Sequence, residues 1–86
     1  MAYLIVERTF EQPVSDEDLK AVGERLASCL DMYHVRWLRS YVAADRQRMI
    51  CEYDAPDAES VRMANRSAGA SFDRVWNAEL FQPQGS

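Results

Sequence analysis

The sequence predicts an α+β domain with the element order β-α-β-β-α-β, and three observations predict it. The stretch from Val35 to Ala55 holds two runs rich in β-branched and aromatic residues around a polar break at Asp45-Arg46-Gln47, the pattern of a β-hairpin. Two segments with apolar residues at helical spacing flank that hairpin, and each starts with an acidic, helix-initiating cluster. Strand-like segments lie at both ends, Tyr3 to Phe10 and Phe72 to Phe81. This order is the ferredoxin-like split βαβ unit, with right-handed crossovers, a four-stranded antiparallel sheet and both helices on one face. At 86 residues the chain is one domain with a thin core. Residues 1–81 form that domain and residues 82–86 are read as a flexible tail.

In the first strand, Leu4, Val6, Arg8 and Phe10 share one face, and Tyr3, Ile5, Glu7 and Thr9 share the other. Two readings fit Glu7: a solvent-facing carboxylate near the strand's end, or a ligand and hydrogen-bond acceptor inside a cavity. After the connector Glu11 to Val14, Ser15 caps a helix whose first turn carries Asp16, Glu17 and Asp18, favourable to the helix dipole. Leu19, Val22, Leu26 and Leu30 mark its buried stripe, and the helix frays near Asp31 to Tyr33.

In the hairpin, strict alternation puts Trp37, Arg39 and Tyr41 on one face of the first strand and Met49, Cys51 and Tyr53 on one face of the second. Leu38, Ser40, Val42 and Ile50 then form the core-facing side. Pro56 and the surrounding acids open the second helix, with a stripe of Ala58, Val61, Ala64 and Ala68 and a left-handed cap at Gly69. The face away from the helices would therefore present Trp, Tyr, Met and Cys side chains. A bare aromatic face on a small domain calls for a cover, and a second copy is the simplest one. Two such sheets face to face make a homodimeric α+β barrel with a cavity between them.

Composition narrows the functional classes. Ten basic and fourteen acidic residues give a formal charge of −4, against the electrostatic footprint of a nucleic-acid binder. No apolar run approaches the ~18 residues of a membrane span. Cys29 and Cys51 sit in no C-x-x-C or zinc spacing, and two free thiols fit a reducing compartment. Together with an N-terminus that lacks a signal-peptide layout, this gives a cytoplasmic expectation. With three glycines, the chain has no phosphate-cradling loop.

Four blocks in order carry a family resemblance: Y-L-I-V-E-R-T-F at the start, V-R-W-L-R-S-Y-V in the second strand, C-E-Y-D-A-P-D-A-E-S-V-R into the second helix, and A-G-x-x-F-D-R-V near the end. From Tyr3 to about Ala78 the chain resembles a family of small bacterial domains typified by a nickel-responsive, nickel-binding protein. The resemblance implies a ferredoxin-like fold, a dimer whose sheets form a barrel, and binding of nickel or another divalent transition metal. It carries over onto Glu7, Trp37, Ser40, Tyr41, Cys51 and Tyr53. The chain departs from the family pattern at Thr9 and near Ala64, where the pattern has histidine. Nickel favours nitrogen and sulfur donors. The remaining candidates here are Cys51, Cys29 and His34, the only histidine, with Glu7 or Glu52 as oxygen donors.

Three functional readings stand on these residues. The first is a homodimeric binding protein whose cavity, lined by Glu7, Trp37, Ser40, Tyr41, Met49, Cys51 and Tyr53, holds a small ligand or a metal on Cys51, Glu7 and His34. The second is a barrel enzyme of oxygenase or isomerase type with Glu7 as base, Tyr41 or Tyr53 as acid, and His34 as proton carrier. The third is a structural dimer in which the same residues pack shut.

Overall fold

The computed structural model describes residues 1–84. The elements are β1 (Ala2–Thr9), α1 (Asp16–Met32), β2 (Arg36–Val42), β3 (Arg48–Ala55), α2 (Ala58–Ser67) and β4 (Arg74–Asn77). They build the expected ferredoxin-like fold: a four-stranded antiparallel sheet of order β2-β3-β1-β4, with both helices packed on one face. Among the described residues, no helix is long and apolar enough to cross a membrane. The tail assigned to residues 82–86 extends past the described residues at Gly85 and Ser86.

Local chemistry explains the element boundaries. Ser15 Oγ accepts from the Asp18 backbone N–H at 3.0 Å, and Asp18 Oδ2 accepts from the Ser15 N–H at 3.3 Å, a reciprocal cap that satisfies two donors at the start of α1. Asp57 caps α2, accepting from the Ser60 N–H at 2.8 Å and the Ser60 hydroxyl at 2.7 Å. These bonds hold the Asp57 carboxyl below its ordinary pKa. Helix α2 ends where Gly69 takes φ +68°, which lets the Ala70 N–H reach the Asn65 carbonyl at 2.9 Å.

The core lies between the sheet and the helices. Leu4, Val6, Cys51, Tyr53 and Val75 rise from the strands to meet Leu26 and Leu30 of α1 and Val61 and Ala64 of α2. Small residues at 61 and 64 let α2 lie close to the sheet. Strand β4 is shorter than the expected Phe72 to Phe81. Its ladder with β1 runs from Arg74 to Asn77, and the Ala78 N–H bond to the Tyr3 carbonyl lies one residue from the start of β1 at Ala2. Leu80 and Phe81 are left exposed.

The register of β2 is the largest departure from simple alternation. Trp37 lies opposite Tyr53, but Arg39 lies opposite Glu52, so Leu38 is an extra residue in a β-bulge. The bulge turns Trp37 to the helix side while Arg39 and Tyr41 stay on the open side. The Trp37 indole N–H donates to Ser40 Oγ at 2.8 Å across the irregularity.

A candidate binding face on the open side of the sheet

Side chains that pair across strands share a face, so the register assigns every strand residue. The open face carries one row of Arg39, Glu52, Ile5 and Trp76 and a second of Tyr41, Ile50, Glu7 and Arg74. A third row, Arg36, Asp54 and Tyr3, closes one end. Tyr41 is 57% exposed, Trp76 44% and Ile50 42%, whereas Ile5 between them is buried. Three large apolar side chains therefore stand in solvent around one half-buried carboxylate.

That carboxylate is Glu7. Its Oε2 accepts from the Trp76 indole N–H at 2.6 Å and lies 3.8 Å from Arg74 Nε. Two further ion pairs cross the same face, Arg39 to Glu52 at 2.9 Å and Arg36 to Asp54 at 3.3 Å. Water screens the guanidinium of each pair, so these pairs shape the potential of the face more than they stabilise it. The hydrogen bond to the Glu52 carboxylate raises the Tyr3 phenol above its ordinary pKa.

The expected cavity set divides between two faces. Glu7 and Tyr41 lie on the open side. Trp37, Ser40, Met49, Cys51 and Tyr53 lie on the helix side; for Ser40 this is the side strict alternation assigned, and for Trp37, Met49, Cys51 and Tyr53 it corrects that assignment. Two causes combine: the bulge at Leu38 rotates Trp37, and β3 pairs with β1 so that Cys51 sits opposite Val6 and Tyr53 opposite Leu4. Ile50, expected in the core, is correspondingly on the open face.

The donors proposed for a metal do not converge in one chain. Glu7 points to the open side, while Cys51 is buried beneath the helices. His34 occupies an exposed left-handed turn between α1 and β2. It precedes Arg36, whose row contains Tyr3, so it lies more than about 13 Å along the strand direction from Glu7 at ~3.3 Å per residue. Among the described residues, no group of three or more His, Cys, Asp or Glu side chains could hold a metal ion. The acid–base set separates in the same way. Glu7 and Tyr41 share a row with Ile50 between them, while Tyr53 and His34 lie elsewhere.

Sequence reasoning passed over two residues. Trp76 falls within the strand-like segment Phe72 to Phe81 but outside the candidate site, because alternation alone does not reveal its hydrogen bond to Glu7. Arg8 is the other. A cation between Val6 and Phe10 in an otherwise apolar row was the available signal. It is 4% exposed and lies beside a helix-side cavity of about 100 Å³, whose walls include Trp37, Met49, Cys51 and Tyr53.

Comparison with known proteins follows the same lines. No curated protein matches the chain. The crystal structure of SCO4226 from Streptomyces coelicolor A3(2) is similar at a TM-score of 0.85 and 15% identity, covering 94% of this chain and 100% of that one. At that identity the likeness establishes the fold. Residues 3–77 match the family described as nickel responsive protein SCO4226-like, and with nearly the whole domain matched, the chain belongs to that family.

Proposed function

We propose that this protein is a homodimeric binding protein in which the open sheet faces of two copies close on each other around Glu7. The observation that carries this reading is the exposure of Tyr41, Ile50 and Trp76 on one flat face about a half-buried carboxylate. Such a patch on a small domain favours burial, and its mixed-sign rim lets a two-fold partner set guanidinium against carboxylate. The ligand class is a divalent cation or a small polar molecule held between the two Glu7 side chains. The family description supports a link to nickel. The donors on this face, however, are carboxylate and phenol oxygens, which suit harder cations better than nickel.

Native mass spectrometry of the untagged protein, alone and with nickel, zinc, cobalt and manganese, tests the proposal. A dimer that retains metal, and loses it with Glu7→Ala, is the expected result. A monomer would overturn the face-to-face reading. A dimer that takes up none of the four ions would overturn the metal and leave the search to small organic ligands.

A further inference from the structure

On the other side of the sheet, a buried cation has no counter-charge. Arg8 projects from a central strand into the core, where an arginine is rarely found without an ionic partner. Its guanidinium donates to the Ser71 carbonyl at 2.9 Å, the Tyr53 hydroxyl at 3.2 Å and Asn65 Oδ1 at 2.6 Å. All three acceptors are neutral. Asn65 is oriented oxygen-first because its Nδ2 donates to the Val61 carbonyl at 2.9 Å. Burial pushes the Tyr53 phenol up, so it stays protonated and supplies no negative charge. Among the described residues, the ion pairs of this chain involve six other arginines and never Arg8.

The space beside this group is shaped for a small apolar body. Arg8, Tyr53 and Ser71 line the cavity of about 100 Å³, and Leu26, Trp37 and Met49 supply apolar wall. Gly23 of α1 leaves room there: a Cβ at this position would meet only the Trp37 ring, at 3.9 Å. An apolar cavity of ~150 Å³ accepts a benzene ring, so this one, about two-thirds that size, takes a ligand of about four heavy atoms.

We propose that this cavity binds a small organic monocarboxylate, with its carboxylate on the Arg8 guanidinium and its short aliphatic tail against Trp37. Three of the five guanidinium N–H donors go to Ser71, Tyr53 and Asn65, which leaves the Nε–H and one Nη1–H for a carboxylate, and a charge-assisted hydrogen bond is stronger than a neutral one. The site is separated from the Glu7 face by the sheet itself and does not depend on dimerisation or metal.

The two tryptophans make the test internally controlled, because Trp37 lines this cavity and Trp76 lies on the open face. Acetate is titrated into the ¹⁵N-labelled full-length chain at constant ionic strength, with acetamide as the uncharged isostere. Saturable shifts of the Arg8 Nε–H and Trp37 indole resonances with acetate alone, and an unmoved Trp76 indole, are expected. Arg8→Gln strips donors from three acceptors and endangers the fold, so Gly23→Leu carries the decision by filling the cavity from a helix position. It should weaken acetate binding at least about tenfold while the spectrum stays dispersed. Equal responses to acid and amide, no saturable response, or undiminished binding in Gly23→Leu would each overturn the proposal.

Discussion

The Glu7 carboxylate and the Trp76 indole N–H meet at 2.6 Å on the open face of the sheet, joining the central strand β1 to the edge strand β4. The bond fixes the indole while leaving much of the ring in solvent. An aromatic held in place this way loses little freedom on association, which suits it to anchor an interface.

If the open faces pair, Trp76→Ala should weaken the dimer far more than it affects the monomer fold. Interface tryptophans commonly cost 2 kcal/mol or more on truncation, so the dimer dissociation constant should rise by roughly 30-fold or more. Sedimentation over a concentration series reads this directly. An unchanged association constant would place the interface elsewhere.

Asn65 is fully buried and takes part in the polar cluster at Arg8. Replacing it with leucine removes the guanidinium's closest acceptor and leaves a charged donor under-satisfied. The expected loss is about 1–3 kcal/mol, measured as a shift in the urea midpoint with an unchanged slope. A neutral effect would mean that solvent already reaches the guanidinium.

Gly69 has φ +68°, and a Cβ there would meet nothing within 4 Å. The cost of Gly69→Ala is therefore backbone strain without steric clash, about 1–2 kcal/mol. Gly69→Asn should recover part of it, because asparagine tolerates the left-handed region better. Thermal unfolding of the two variants side by side gives the comparison.

Tyr53 sets an alkaline limit. Burial raises its pKa in the folded state above the ordinary 10.0, so above that value the unfolded chain releases a proton that the folded chain keeps. Its contribution is fully present below pH 10 and is lost as pH rises through the folded value. Stability should fall through this range, and phenolate absorbance should show Tyr53 ionising above the ordinary 10.0. In Tyr53→Phe this part of the pH dependence should shrink.

Much of the fold was legible in local chemistry. Ser15 and Asp57 at helix starts, Gly69 past a helix end, and period-2 runs around Asp45 to Gln47 each determine the conformation of a few neighbours, and such signals survive in sequence. The family resemblance was legible as well, because its four blocks span the strands that build the sheet. The candidate site was legible only in part. Glu7 and Tyr41 were assigned to the open face, but Cys51 and Tyr53 were assigned there too and lie in the core.

What the sequence by itself determined was the order of the elements and the period of each, since caps, turns and alternation act over a few residues. What only the tertiary structure decided was which face of each strand meets the helices. A single extra residue at Leu38 reverses the face of Trp37, and the pairing of β3 with β1 decides where Cys51 and Tyr53 point. The partners of Arg8 were decided the same way. Tyr53, Asn65 and Ser71 lie 45, 57 and 63 residues away along the chain, and no local pattern encodes a contact closed by the packing of α2 onto the sheet.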